Sequence, residues 1–72
     1  MMKKRKFKEL SKLKGLLREK NITYKKIASL IGINYTTFSD KINGYSVFTL
    51  NEINNIIQQL QIGKDEIYDY FF

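Results

Sequence analysis

Apolar residues recur along the chain at helical spacing. Leu10, Leu13 and Leu17 fall at i, i+3 and i+7, with Leu16 widening the stripe, and predict a helix from about Lys8 to Lys20. Ile27 and Ile31, with Ala28 between them, predict a second helix, and Phe38 with Ile42 a third. Leu50, Ile53, Ile57 and Leu60 continue the pattern as a fourth. A short fifth helix is expected from Asp65 to Tyr70, with Ile67 and Phe71 turned inward. Polar residues mark the ends. Thr23 and Asn34 stand where N-caps of the second and third helices belong, and Thr49 with Glu52 makes a capping box for the fourth. Gly44 closes the third helix, and Gly63 separates the fourth from the tail. Periodicity and end signals agree on an all-α fold.

The stretch ASLIGINYTTFSDKING needs a corner. Ile27, Ile31, Phe38 and Ile42 must share one core, which a continuous helix cannot arrange. Gly32 accepts a positive φ, Ile33 tucks under the turn, and Asn34 starts the next helix. Small Ala28 lets the two helices cross closely. This is the spacing of a helix-turn-helix, whose second helix is held outward for a DNA major groove.

Charge sharpens the picture through its placement. The net charge is +6, yet residues 1–26 hold eleven of the thirteen basic residues against two acids, and the remainder is mildly acidic. That asymmetry fits a face built for a polyanion, or equally a Lys-rich solvated face. With no cysteine and no histidine, the chain offers no disulfide, no usual zinc-finger ligand set and no His- or Cys-based catalysis. No acid pair, activated nucleophile or phosphate-cradling glycine loop is present, so neither enzymatic activity nor a cofactor is expected. No apolar run approaches membrane-spanning length, and the basic start MMKKRKFK leads into LSKLKGLLREK rather than a signal-peptide core. A cytoplasmic protein without a membrane partner is expected. There is no proline, repeat or low-complexity linker. The organisation expected is a basic arm over residues 1–7 and one domain over 8–72, without a second domain to hold a small-molecule ligand.

Residues 23–44, TYKKIASLIGINYTTFSDKING, resemble the helix-turn-helix of Cro/cI-type phage repressors, the lambda-repressor-like DNA-binding domains. The likeness continues through FTLNEINNIIQQL to the terminal EIYDYFF. It implies a compact five-helix bundle, operator binding and a homodimer. Two positions depart from the family pattern. Tyr24 stands where glutamine is frequent and its amide binds phosphate, a contact the tyrosine hydroxyl could still make. Lys26 replaces the acid of a capping box, so Thr23 is expected to cap alone.

With Phe38 and Ile42 inward, the outward face of the third helix carries Tyr35, Thr36, Ser39 and Asp40, the candidate base-reading set. Short hydroxyl side chains allow close approach without demanding a counter-charge. Asp40 has a second reading, a local pair with Lys41 or Asn43, and that one ranks first. Phosphate contacts are expected from Tyr24, Lys25, Asn34, Thr37, Lys41, Asn43, Tyr45 and Ser46. Lys3, Lys4, Arg5, Lys6 and Lys8 form either an arm along the DNA or a solubilising tail. Tyr68, Tyr70, Phe71 and Phe72 end the chain, and Tyr68 and Phe72 fall on a face of their own, a candidate dimer contact. The function expected is a Cro-like repressor occupying a short, partly palindromic operator in double-stranded DNA. The alternative is an antitoxin-type interaction module that also binds its own promoter.

Overall fold

A computed structural model describes residues 4–72, and Lys3 of the basic arm lies outside the described residues. Five helices follow one another: α1 (Ser11–Glu19), α2 (Tyr24–Ile31), α3 (Tyr35–Ile42), α4 (Leu50–Leu60) and α5 (Ile67–Phe71), the last preceded by a 3-10 turn at Lys64–Glu66. The described residues contain no strand. α2 packs against α3 and α4, while α1 packs against α3 and α5.

The expected caps are in place. Thr23 Oγ1 accepts the Lys26 N–H at 3.0 Å and caps α2 without an acid partner. Asn34 Oδ1 accepts the Thr36 N–H at 2.8 Å at the start of α3. Thr49 and Glu52 exchange both bonds of a capping box, at 3.2 and 2.8 Å. Each satisfies a donor that the first helical turn leaves without a partner.

Three elements differ from the sequence expectation: the fifth helix, expected from Asp65 to Tyr70, is a 3-10 turn at Lys64–Glu66 followed by α5 at Ile67–Phe71, and the other two are α1 and α4. α1 begins at Ser11 instead of Lys8, because the Leu10 N–H is drawn to the Ile42 carbonyl at 3.0 Å and residues 8–10 stay outside the helix. In α4 the buried stripe is Ile56 and Leu60, flanked by half-buried Ile53 and Ile57. Leu50, expected inside, is 74% exposed. The buried place before the helix goes to Phe48, one residue ahead of the cap, where a hydrophobic staple sits. Phe48 also continues a chain of rings through the core. Tyr24 and Phe38 lie 5.4 Å apart, Phe38 and Phe48 5.4 Å, and Phe48 and Phe71 6.3 Å. These contacts join α2, α3, the loop before α4 and α5.

The corner between α2 and α3 is made as expected, with Gly32 at φ 78° closing α2. Gly44, at φ 90°, has a second reason to be glycine: a Cβ there would stand 2.5 Å from the Phe7 carbonyl oxygen. The chain entering α1 therefore lies directly on the turn that leaves α3.

Candidate nucleic-acid interface

The corner and the Asn34 cap present the first turn of α3 to solvent. Asn34, Tyr35, Thr36 and Thr37 are all exposed, Tyr35 to 52%, while Phe38 beneath them is fully buried. Ser39 and Asp40, one turn on, are half-buried. Hydroxyl groups and one amide thus form a projecting edge without an acid in its first turn. Such an edge can approach base edges or phosphates without like-charge repulsion.

Several of the expected phosphate contacts occupy different situations. Lys25 and Lys26 are exposed beside this edge, with no acid paired to either among the described residues. Tyr24 is half-buried, its ring against Phe38. Tyr45 and Ser46 are half-buried in the loop after α3, with the Arg5 guanidinium 5.8 Å from the centre of the Tyr45 ring. Lys41 turns away: its ammonium binds the Glu52 carboxylate at 2.6 Å, and its side chain is only 13% exposed. Asn43 is equally committed, its amide donating to the Ser39 carbonyl at 2.8 Å and accepting from Lys14 Nζ at 2.5 Å. Those bonds commit both side chains to partners within the fold.

Electrostatics follow the same pairs. Burial pushes the Glu52 carboxyl up, but hydrogen bonds from Lys41 and from the Thr49 N–H outweigh it and hold the group below its ordinary value. The Lys14 hydrogen bond holds Glu9 below its ordinary value as well. Lys14, Glu9 and Arg5 were not legible as neighbours of α3. One signal existed: Lys14 sits at i+4 from Leu10, between Leu13 and Leu17, so a lysine occupies the inward stripe of α1.

A family model describing the Cro/C1-type HTH DNA-binding domain matches residues 12–72. The chain belongs to that family. No curated protein and no solved structure matches it. As a Cro/C1-type domain it is a DNA-binding regulator, and its partner is double-stranded DNA. The matched span takes in α1 except for its first residue and the whole of α2 to α5. No helix of the described residues is long and apolar enough to cross a membrane.

Proposed function

We propose that the chain is a Cro-like repressor that acts by occupying a short, partly palindromic operator as a homodimer. The observation that carries this reading is the exposed first turn of α3. Tyr35 and Thr36 lead into the major groove, with Ser39 and Asp40 behind them as further base contacts. Lys25, Asn34, Thr37, Tyr45, Ser46 and the Tyr24 hydroxyl take the flanking phosphates. Bound across a promoter, such a protein excludes polymerase without a ligand or an activation surface.

Selection of duplexes from a random pool tests the reading. A partly palindromic consensus is expected. Thr36→Ala relaxes the preferred bases at particular positions, about 1 kcal/mol per lost contact. Lys25→Ala weakens all sites alike and lowers the slope of log affinity against log salt by about one. Enrichment of no sequence over the starting pool overturns the proposal.

The homodimer rests on the tail. Tyr68 and Phe72 are 73% and 62% exposed, and their rings stack at 5.8 Å, so a continuous aromatic surface faces outward on α5. A second copy covering it would set two α3 helices about 34 Å apart, one turn of DNA. A Tyr68→Ser/Phe72→Ser double variant is expected to keep its melting temperature within a few degrees. On a full operator it should lose the second bound copy, and affinity by at least tenfold, as read by sedimentation of the complex. An unchanged two-to-one complex removes α5 from the interface. A tail that instead captures a dedicated protein while Thr36→Ala has no effect on promoter output favours the antitoxin reading.

A further inference from the structure

The polar groups that the reading edge does not use converge on the C-terminal end of α3. Residues 5–10 run across that end. Lys6 and Phe7 N–H both donate to the Gly44 carbonyl, at 3.0 and 2.8 Å, and Leu10 N–H donates to Ile42. Arg5 Nε donates to the Asn43 carbonyl at 2.7 Å. Its guanidinium also meets one Glu9 oxygen at 3.3 Å. The other Glu9 oxygen holds Lys14 Nζ at 2.6 Å, and Lys14 in turn donates to Asn43 Oδ1. These bonds close a ring from Arg5 through Glu9, Lys14 and Asn43 back to Arg5. Two cations thereby sit at the negative end of the α3 dipole, with one carboxylate between them.

The ring orients an amide, and the amide orients a hydroxyl. An ammonium has donors only, so the Asn43 oxygen must face Lys14 and its NH2 must face the other way. That NH2 reaches the Ser39 carbonyl at 2.8 Å and the Ser39 hydroxyl oxygen at 3.3 Å. Ser39 Oγ is an acceptor in this bond, which leaves its own hydrogen for an outside acceptor.

We propose that the Arg5–Glu9–Lys14–Asn43 ring is a positioning device for base recognition, presetting Ser39 as a hydrogen-bond donor into the major groove. The inference rests on the base-reading role of α3 proposed above. A donor at this position takes guanine N7 or O6, adenine N7 or thymine O4, and rejects cytosine, whose major-groove edge offers only the N4 donor. Lys14 and Glu9 are positioning residues, acting through Asn43.

Duplex selection on the full chain, with thermal melting of each variant, tests this. The wild type should exclude cytosine at one position per half-site, and Ser39→Ala should abolish that exclusion. Lys14→Met should relax the preference at the same position by about threefold to tenfold. In a Ser39→Ala background, Lys14→Met should change nothing further at that base. Asn43→Asp keeps an acceptor for Lys14 but replaces the donor facing Ser39 with a carboxylate. The hydroxyl then donates inward, and cytosine should become acceptable. If Lys14→Met melts below the assay temperature, Asn43→Asp and Ser39→Ala decide the matter. A ring that only supports the fold would lower melting temperatures and weaken all sites alike. That result, or a wild-type preference for cytosine, overturns the inference while leaving a consensus intact. Failure of the wild type to select any consensus overturns the operator reading instead.

Discussion

Phe38→Ala is expected to remove a large share of the domain's stability at 25 °C. Phe38 is the largest side chain in the core with no exposed surface. Its ring contacts Tyr24 on one side and Phe48 on the other, both at 5.4 Å between centroids. Truncating such a residue removes about 3–5 kcal/mol through lost transfer energy and the cavity left behind. A 72-residue domain has roughly 4–11 kcal/mol in total. Phe38→Leu, which refills most of the space, should lose about half as much. Urea titration followed by circular dichroism reads the difference as a shift in midpoint at unchanged slope. The alanine variant should lose DNA binding at low duplex concentration, because α3 has no other large buried anchor except Ile42. Duplex at about one hundred times its dissociation constant should restore about 2.7 kcal/mol of apparent stability by mass action. A destabilisation under 1 kcal/mol would mean that the ring chain does not hold α3 in solution.

Where sequence and structure agree, the determining contacts lie within a few residues. The Thr23, Asn34 and Thr49–Glu52 caps each bond to an amide two or three positions on, so residue type and spacing suffice to place them. The corner at Gly32 is local in the same sense. Leu50 shows the opposite case. Five apolar residues from Leu50 to Leu60 permit more than one inward stripe, and the choice belongs to Phe48, which fills the site from outside the helix. The start of α1 was hidden for a similar reason, since the bond that holds Leu10 outside the helix reaches thirty-two positions along the chain to Ile42. On the interface, the exposed residues Tyr35, Thr36 and Thr37 follow from the inward direction of Phe38 alone. Lys41 and Asn43 could not be assigned that way, because Glu52 and Lys14 stand on other helices.

Lys41→Met is expected to destabilise the domain by about 2–3 kcal/mol, a fall in melting temperature of roughly 10–15 °C. The pair it breaks joins the last turn of α3 to the first turn of α4, with side chains 13% and 15% exposed. Removing the cation leaves a largely covered carboxylate whose remaining bond is the Thr49 N–H at 2.8 Å. That bond and the residual exposure keep the loss below the full value for a buried charge. Glu52→Gln separates charge from geometry, because a glutamine amide oxygen still accepts from Thr49 and completes the capping box. It should lose about 1–2 kcal/mol at pH 7. The two variants should also differ in their response to acid. The Glu52 carboxyl titrates below its ordinary value of 4.5 in the folded chain, so the folded state binds fewer protons there than the unfolded chain does. Its contribution is therefore fully present above that ordinary value and disappears as pH falls through the folded one. Melting temperatures from pH 7 to pH 3 should accordingly fall more steeply below 4.5 for the wild type than for Glu52→Gln. Glu9, held below its ordinary value by Lys14, contributes to the slope that remains in both. Parallel curves would show that Lys41 does not favour the ionised form of Glu52, and α3 would then be held to α4 by apolar packing alone.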